Sequence, residues 1–205
     1  MKTTILWVIL GYLSGSVLYA RVFGNLFHCS DKFEECKDKN PGTSNAYSVG
    51  GFWCGTFTLL GDLLKGFFPV FLYVRYVMQT GTPAISFSFV LAAPVIGHIL
   101  PLFYRFRGGK GIATTFGCLL GAYFEWEAVI VFACFFIIFS VLFRITPHYY
   151  RTLVTYLVTA IVLCITKRNL SVCLGFILIT VITVLRFHAS NEEREKMKVN
   201  LLWMH

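Results

Sequence analysis

Long apolar runs, separated by short polar breaks, constrain the fold of this chain more than any other feature of its sequence. Hydrophobic residues make up 57% of the 205 residues and charged residues 14%, with a mean hydropathy of +0.70. A soluble domain carries about a quarter charged residues, so these values indicate a chain that folds within a bilayer. The seven candidate spans are about residues 4–22, 50–76, 84–104, 111–124, 127–144, 150–167 and 170–186.

The lipid environment restricts these spans to one type of secondary structure. Backbone N–H and C=O groups in hydrocarbon must pair with one another, and apolar runs of this length achieve this as helices. Several runs hold roughly 15 apolar residues, fewer than the ~20 that cross a bilayer, and helix tilt or local thinning makes up the difference. We therefore predict an all-α polytopic bundle of about seven transmembrane helices, with residues 1–205 as a single domain. Polar loops are predicted at about 23–49, 105–111 and 144–150, and a polar tail at 187–205.

The distribution of lysine and arginine predicts the orientation of the bundle. With the N-terminus outside, the inner loops and tail contain thirteen of the eighteen lysines and arginines. The outer segments contain Lys2, Arg75, Lys167 and Arg168, and Lys65 lies within a span. Cytoplasmic segments carry the excess positive charge in membrane proteins, so we expect the C-terminus and all three loops in the cytoplasm. The net charge of +8 reflects this bias, with contact to lipid headgroups, and it indicates no nucleic-acid partner.

Neither a cleaved leader nor a metal site is indicated. Residues 17–20 lack the small-x-small pattern of a cleavage site, so the first apolar run is expected to remain as a helix. Cys29 and Cys36 are expected to remain thiols, and although His28 could join them, no C-x-x-C pairing supports a metal site. The other cysteines lie in apolar spans, where they act as small hydrophobic residues.

The segment from Arg105 to Thr114, here called the glycine loop, concentrates three cations and three glycines between two apolar runs. Glycine lets backbone N–H groups turn toward a ligand, and the following run supplies a helix N-terminus, so the pattern predicts a phosphate site. Lys110 is followed by Gly111 rather than by Ser or Thr, and no strand precedes the loop, which excludes a Walker A motif. The alternative is a plain turn that carries positive charge on the inner side.

A polar break between His28 and Tyr47 precedes the second span. It ends in a segment rich in Asn, Pro, Gly, Thr and Ser, which favour turns and side chain–backbone hydrogen bonds. The break is either a solvated loop that caps the next helix or a segment folded over the ligand. In the second case the contacts come from Asn40, Thr43, Ser44 and Asn45.

Titratable side chains also occur inside the apolar runs. Asp62 and Lys65 are three residues apart, so they share one helix face and can pair. Charges within a span are costly and usually face the bundle interior or a wet cavity. The pair therefore either neutralises itself near the interface or supports the polar site. His98 precedes the glycine loop by one to two turns and is either a bundle histidine or a titratable group beside the ligand.

The last polar cluster follows the seventh span. His188, Asn191 and Arg194 recur every three residues, which puts them along one face of a predicted helix. His188 near the inner interface can donate to phosphate or act in proton transfer. The alternative is an ordinary charged tail, since residues 192–198 have the pattern of a solvated helix. The break at 144–151 is expected to hold aromatic interface anchors.

Five ordered motifs resemble the bacterial membrane acyltransferases that move an acyl group from acyl phosphate to glycerol 3-phosphate, and they cover nearly the whole chain. Gly11–Ser16 is similar to that family's G-Y-L-x-G-S pattern, and Asn40–Asn45 to its N-x-G-A-T-N segment. Leu59–Gly66 resembles its L-x-x-D-x-x-K-G helix. Gly97–Thr114 is similar to its G-H…F-K-G-G-K-G-V-A-T loop, and His188–Arg194 to its H-x-x-N-x-x-R. Five matches in order are specific, whereas one alone is not.

The resemblance implies the activity and the residues that perform it. It implies a multi-pass acyltransferase of the bacterial cytoplasmic membrane, active on the cytoplasmic side, that makes lysophosphatidic acid for phospholipid synthesis. The implied catalytic residues are Lys110, His188, Asn191 and Asn45. The implied substrate and phosphate contacts are Arg107, Gly108, Gly109, Gly111, Thr114, Asn40, Thr43, Ser44 and Arg194. Asp62, Lys65 and His98 are implied to give the site structural polar support.

The resemblance also implies a reaction without a covalent enzyme intermediate. No Ser-His-Asp set occurs, and the family is thought to use the departing phosphate of the donor as its base. Acyl phosphate and glycerol 3-phosphate are the implied substrates, the acyl chain lies in membrane lipid, and no cofactor or metal is implied. The oligomeric state is left open.

Three positions and one short segment depart from the family pattern, mostly on the acceptor side. Asp38 stands where the family has a serine, Ser48 where it has an arginine and Asn200 where it has a glutamate, and His148–Arg151 replaces a serine-rich turn. A lost cation and an added carboxylate weaken the binding of a dianion unless neighbouring lysines compensate. The alternative functions are a non-catalytic or altered-acceptor paralogue and a small transporter of organic anions. The polar clusters on one predicted membrane face count against the transporter.

Overall fold

Eight α-helices dominate the computed structural model, which describes residues 2–36, 42–78, 82–166, 169–189 and 196–201. The helices are α1 (Lys2–Gly15), α2 (Tyr19–Leu26), α3 (Thr43–Tyr76), α4 (Ala84–Ile99), α5 (Ile112–Gly121), α6 (Trp126–Ile137), α7 (His148–Thr166) and α8 (Leu170–Ala189). Short 3-10 turns cover Asp31–Glu35, Leu102–Tyr104 and Tyr123–Glu125, and a π-helical turn covers Ile138–Leu142. Two strands, β1 (Phe143–Thr146) and β2 (Lys198–Leu201), pair antiparallel.

Six helical stretches of the described residues are long and apolar enough to cross a membrane. They are Lys2–Leu26, Thr43–Tyr76, Ala84–Tyr104, Tyr123–Leu142, His148–Thr166 and Leu170–His188. Helix α5 is also apolar but has ten residues. The predicted helical membrane bundle is confirmed. The count of seven spans and the orientation of the termini stay predictions.

Helices α1 and α4 cross with their backbones in contact, because glycines occupy the crossing points. A Cβ on Gly15 would lie 2.0 Å from the carbonyl oxygen of Pro94, and a Cβ on Gly97 would lie 2.1 Å from that of Tyr12. Any larger side chain at these positions would push the helices apart. The crossing fixes α4, which ends next to the glycine loop, against the first span.

The first span is interrupted between α1 and α2, and a buried lysine from α3 compensates for the interruption. The Lys65 ammonium donates to the carbonyl oxygen of Val17 at 2.6 Å. This oxygen lies in the break, where the helical hydrogen-bond ladder does not supply a partner. In return, the Ser14 hydroxyl donates to the carbonyl oxygen of Lys65 at 2.9 Å. The break is therefore bonded to α3 in both directions.

Helices α3 and α5 also lie in backbone contact. A Cβ on Gly117 would lie 2.0 Å from the carbonyl oxygen of Leu63, and a Cβ on Gly66 would lie 2.4 Å from that of Thr114. Since both glycines face the partner helix, α5 can settle against the middle of α3. This contact brings the first turn of α5 next to Asp62.

Aromatic rings fill the interior between α5, α6, α7 and α8. The rings of Phe132 and Phe176 lie 5.3 Å apart, and Phe132 and Tyr156 are 5.0 Å apart. All three side chains are fully buried. The Tyr156 hydroxyl forms a hydrogen bond with the Thr115 hydroxyl at 2.8 Å, which satisfies a polar group that burial would otherwise penalise. The core thus holds α5 from the side opposite to α3.

Two predicted segments differ from the structure. The predicted loop at 23–49 contains the end of α2, a 3-10 turn and the first turns of α3. Helix α3 begins early because Gly42 has extended backbone angles and the residues after it are typical of helix starts. The predicted helical pattern at 192–198 is wrong at Lys198, which begins β2. There Val199 pairs with Ile145, and two β-branched residues favour strand pairing.

Candidate active site

A cavity of about 380 Å³ opens where the first turns of α3, α5 and α7 meet. One part of its wall is polar and the other is apolar. The lining residues are Gly42, Thr43, Ser44, Asn45, Leu59, Asp62, His98, Lys110, Gly111, Ile112, Ala113, Phe116 and His148. An elongated molecule with a polar head and an apolar tail matches such a wall.

Three helices begin at the wall of this cavity. Thr43, Ile112 and His148 are the first residues of α3, α5 and α7, and all three line the wall. The first N–H groups of a helix lack partners within the helix, and its dipole favours an anion at that end. Gly42 and Gly111 precede α3 and α5 and have no side chain that could cap those groups. The arrangement therefore suits a phosphate or another compact anion.

The glycine loop is packed directly on His98. The Gly109 N–H donates to the carbonyl oxygen of His98 at 3.1 Å. A Cβ on Gly108 would lie 1.9 Å from that oxygen, and a Cβ on Gly109 would lie 2.2 Å from Nε2 of His98. Gly111 has a φ of 76°, a left-handed conformation that favours glycine. A side chain is therefore disfavoured at all three positions, by collision with His98 at Gly108 and Gly109 and by the backbone conformation at Gly111.

A buried polar chain extends from the break in the first span to the glycine loop. Nζ of Lys65 lies 2.7 Å from Oδ1 of Asp62, and that oxygen lies 3.7 Å from Nδ1 of His98. The Thr114 hydroxyl is 3.3 Å from the same nitrogen of His98. All four side chains are at least nine-tenths buried. The ion pair and the hydrogen bond between these groups offset part of the free-energy cost of burying them.

Lys110 and the end of α8 meet at the edge of the cavity. Nζ of Lys110 lies 5.9 Å from the centre of the Phe187 ring, which is buried. The Arg186 guanidinium donates to the carbonyl oxygen of Gly108 at 3.3 Å. These contacts attach α8 to the glycine loop. They also bring His188, the next residue after Phe187, to the same end of the bundle.

The first turn of α3 supplies polar side chains to the cavity wall. Thr43, Ser44 and Asn45 all line the cavity. The Thr43 hydroxyl oxygen is buried and has no hydrogen-bond partner in the described part of the chain. An orphaned buried hydroxyl beside a cavity is available to a ligand. Ser48, one turn further on, is exposed and donates to the carbonyl oxygen of Ser44 at 3.1 Å.

The structure brings most of the predicted site residues together, but not all of them. Of the predicted residues, the cavity wall includes Thr43, Ser44, Asn45, Asp62, His98, Lys110 and Gly111. Gly108, Gly109 and Thr114 are buried just behind it. Arg107 and His188 are exposed and are not among the lining residues. Asn40, Asn191 and Arg194 lie outside the described residues, as does Asp38.

One polar residue of the wall and its whole apolar part were not predicted from the sequence. His148 lines the cavity although it falls in a predicted loop. Pro147, directly before it, was a local signal, since proline is favoured near the start of a helix. Leu59, Ile112 and Phe116 form the apolar part, and nothing in a run of apolar residues tells which of them face a cavity. Among the described residues, no three His, Cys, Asp or Glu side chains converge as metal ligands.

Comparison with known proteins identifies a family for this architecture. A family model described as glycerol-3-phosphate acyltransferase matches residues 5–196. The glycerol-3-phosphate acyltransferase of Actinobacillus pleuropneumoniae serotype 5b (strain L20) is 39% identical over 126 residues, which are 62% of this chain and 62% of that protein. The protein of that name from Coxiella burnetii (strain CbuG_Q212) is 37% identical over 137 residues, 67% of this chain and 68% of that protein. The match thus spans about three fifths of the first relative and two thirds of the second.

A solved structure shares the fold. The crystal structure of PlsY (YgiH), an integral membrane glycerol 3-phosphate acyltransferase, in its glycerol 3-phosphate form, superposes with a TM-score of 0.75. The superposition covers 91% of this chain and 88% of that chain at 22% sequence identity. The lysophosphatidic acid form of the same protein gives a TM-score of 0.73 at 24% identity. At these identities the likeness concerns the fold.

Proposed function

Because this chain belongs to the glycerol-3-phosphate acyltransferase family, we propose that it transfers a fatty acyl group from acyl phosphate to glycerol 3-phosphate. The products are lysophosphatidic acid and inorganic phosphate. The observation that carries the proposal is the cavity in which three helix N-termini and Lys110 meet beside an apolar wall. Two phosphate-bearing substrates, one of them with an alkyl chain, match this combination of positive charge and apolar surface.

In this proposal the donor phosphate binds at the glycine loop and the start of α5. The N–H groups that follow Gly111 and the Lys110 ammonium hold the phosphate and stabilise negative charge as it develops on the acyl carbonyl oxygen. The buried chain of Lys65, Asp62 and His98 supports the loop from below. Packing on His98 fixes the loop in one conformation, which reduces the free energy lost in ordering it during the reaction.

The acceptor is proposed to bind at the first turn of α3. Asn45, with Thr43 and Ser44, orients glycerol 3-phosphate, and His188 acts from the end of α8. Asn40, Asn191 and Arg194, which lie outside the described residues, are proposed to complete the contacts to this substrate. One acceptor hydroxyl oxygen attacks the acyl carbon, the bond between that carbon and the phosphate oxygen breaks, and the hydroxyl proton ends on the departing phosphate.

The acyl chain is proposed to lie along the apolar wall. Leu59, Ile112 and Phe116 line this wall and are half-buried. The chain can then stay in the hydrophobic part of the bilayer while its phosphate reaches the positive cavity. We further propose the bacterial cytoplasmic membrane as the location, with the cavity on the cytoplasmic side as the positive-inside count predicts.

The direct test is release of inorganic phosphate from palmitoyl phosphate by the purified protein, with and without glycerol 3-phosphate. We expect turnover that requires both substrates and that Lys110→Ala abolishes. Lys32→Ala is the matched control, because Lys32 is an exposed lysine of the 3-10 turn at Asp31–Glu35. The control is expected to keep the wild-type rate.

The same assay separates the alternatives. Turnover with a different polyol phosphate, and none with glycerol 3-phosphate, would keep acyl transfer and replace the acceptor. A folded protein without turnover on any polyol phosphate would favour a non-catalytic paralogue. The non-catalytic alternative is considered because Asp38 and Ser48 replace the serine and the arginine of the family pattern.

A further inference from the structure

Two cysteine side chains from neighbouring helices meet at the end of the bundle that lies away from the cavity. Cys164 belongs to the last turn of α7, and Cys173 belongs to the first turn of α8. Their Sγ atoms are 2.6 Å apart. Both residues are thiols, and both are half-buried. The proposed acyl transfer uses neither of them.

The helix ends that carry these cysteines are held by side-chain hydrogen bonds. The Thr166 hydroxyl donates to the carbonyl oxygen of Val162 at 3.0 Å, within the last turn of α7. Oδ1 of Asn169 accepts from the N–H of Ser171 at 3.0 Å, which caps the start of α8. Because both cysteines belong to regular helix turns, the backbones of the two helices determine how close the sulfur atoms lie.

The same two helices connect this cysteine pair to the candidate active site. His148 lines the cavity at the start of α7, and Cys164 lies about 24 Å further along that helix. Arg186 donates to the carbonyl oxygen of Gly108, and Cys173 lies about 20 Å before it on α8. The cysteine pair and the glycine loop therefore lie at opposite ends of α7 and α8. With the cavity on the cytoplasmic side, as proposed above, the pair is near the outer surface.

The two sides of a bacterial cytoplasmic membrane treat neighbouring thiols differently. The periplasm oxidises them by exchange with protein disulfides, whereas the cytoplasm keeps them reduced. Two sulfur atoms at 2.6 Å need little movement of either helix to reach the ~2.05 Å of a bond. Position and distance thus both favour oxidation of this pair.

We propose that Cys164 and Cys173 form a disulfide bond that joins α7 to α8. The inference goes beyond the proposed acyl transfer and rests on the proposed cytoplasmic position of the cavity. One cysteine attacks the disulfide of a thiol–disulfide oxidant protein, which forms a mixed disulfide and frees one thiol of the oxidant. The second cysteine attacks the mixed disulfide, so the bond between the cysteines forms and the oxidant leaves as a dithiol. Two electrons and two protons pass to the oxidant.

A second pair of cysteines provides an internal comparison. The Sγ atoms of Cys29 and Cys54 are 3.9 Å apart, and both residues are buried. Cys54 lies on the half of α3 that begins at the cavity wall, so this pair is expected nearer the cytoplasm. Because cytoplasmic thiols stay reduced, we expect no bond between Cys29 and Cys54.

The test is tryptic digestion of the unreduced full-length protein, followed by mass spectrometry. The protein is expressed in a bacterial cytoplasmic membrane, and free thiols are blocked with N-ethylmaleimide before the cells are opened. Lys167 and Arg168 lie between the two cysteines, so trypsin separates peptide 152–167 from peptide 169–186. We expect these peptides as one joined species that a reducing agent splits. Cys29 and Cys54 are expected as separate peptides modified by maleimide.

Single variants identify the sulfur atoms and the effect of the bond. Cys164→Ser and Cys173→Ser are each expected to abolish the joined species. Cys134→Ser is the matched control, because Cys134 is an exposed cysteine of α6, and it is expected to keep that species. Reduction of the wild type is expected to lower its Tm in detergent by about 5 °C. Reduction of Cys164→Ser is expected to leave the Tm unchanged.

A further variant reports the side of the membrane on which the pair lies. In a protein that carries both Cys164→Ser and Cys173→Ser, Lys167→Cys adds a thiol between α7 and α8. We expect a membrane-impermeant maleimide to modify this thiol on intact spheroplasts. The same protein without Lys167→Cys gives the background.

The outcomes keep the disulfide apart from the proposed function. Maleimide-modified Cys164 and Cys173 without a joined species overturn the disulfide, as does a joined species that forms only when maleimide is omitted before lysis. If Lys167→Cys is then labelled on intact spheroplasts, the proposed orientation stands and the bond alone is refuted. If labelling requires opened membranes, the orientation is refuted as well. Phosphate release from palmitoyl phosphate is measured separately, so loss of the disulfide proposal leaves acyl transfer in place.

Discussion

The glycine loop and the first turn of α3 face the same cavity, yet they are built by different means. The loop is fixed through its backbone: Gly109 donates to His98, Arg186 donates to Gly108, and added Cβ atoms would collide with His98. The turn of α3 instead presents side chains, among them Thr43 and Asn45. A backbone site is insensitive to most neighbouring substitutions but tolerates no side chain on its glycines. A site formed by side chains loses or changes a contact whenever one of those residues is replaced.

This difference accounts for where the sequence departs from its family. The loop keeps its glycines and its lysine, since a substitution there requires the backbone to move. Ser48 lies one turn further along α3, where a substitution changes one contact and leaves the helix in place, whereas Asp38 lies outside the described residues. The comparison thus predicts that donor binding is hard to alter and acceptor binding easy. Four substitutions test this prediction.

Lys65→Met is expected to have the largest effect, because it removes the support of the loop. Asp62 would remain buried without its ion pair, and the Val17 carbonyl would lose its donor. Breaking one side of a buried pair costs about 3–5 kcal/mol of unfolding free energy. Unfolding in detergent, followed by tryptophan fluorescence, measures the loss. The double variant with Asp62→Asn is expected to regain part of it, and a single variant as stable as Lys32→Met would contradict the role of the pair.

Gly109→Ala follows, and it acts on the loop itself. Its Cβ would lie 2.2 Å from Nε2 of the buried His98, so the loop must shift. A displacement of about 1 Å can reduce a rate by about 100-fold, and we expect a loss of this size in phosphate release from palmitoyl phosphate. Gly11→Ala is the control, since its Cβ meets the nearest side-chain atoms at 3.3 Å. Unchanged turnover in Gly109→Ala would show that the loop backbone does not hold the donor.

Asn45→Ala tests the side-chain half of the site. Loss of a hydrogen bond to a charged ligand costs roughly 1.5 kcal/mol, so we expect KM for glycerol 3-phosphate to rise about tenfold. KM for palmitoyl phosphate is expected to stay the same, because the donor contacts come from the loop. Ser48→Ala, one turn away and exposed, serves as the control. Equal changes in both KM values would mean that the two halves of the cavity are not separate.

Ser48→Arg is expected to have the smallest effect. Unlike the other three substitutions, it is expected to improve the site, by lowering KM for glycerol 3-phosphate. An added exposed cation one turn from the cavity contributes about 0.2–1 kcal/mol, which lowers KM for glycerol 3-phosphate by up to about fivefold at low salt. The gain is expected to fade at high ionic strength because salt screens exposed charges. Ser48→Gln adds a similar length without charge and is expected to change nothing. A gain with glutamine, or one that persists in salt, would assign the effect to packing instead.

The sequence predicts the parts of this molecule that depend on local pattern. Apolar runs predict the membrane helices, and the spacing of Asp62 and Lys65 predicts their pairing, which the structure forms at 2.7 Å. The glycines of the loop predict a backbone that approaches a ligand, and this contact stays a prediction. In each case a few neighbouring residues determine the outcome.

The remaining features depend on contacts between distant segments. That Thr43, Ile112 and His148 start helices at one cavity depends on how α3, α5 and α7 cross, which no local pattern encodes. The pairing of β1 with β2 joins residues more than fifty positions apart along the chain, as with Thr146 and Lys198. Asn191 and Arg194, predicted from a three-residue spacing, lie outside the described residues, and their roles stay predictions.

The shortness of α5 has a consequence for the depth at which the chemistry would occur. Ten residues make a helix of about 15 Å, half of the ~30 Å hydrocarbon thickness. A helix of that length that is packed inside the bundle has at least one end well below the membrane surface. With Gly111 at that end, the cavity lies below the membrane surface. The acyl phosphate proposed as donor would then stay within the bilayer, and the proposed acceptor would enter from the water.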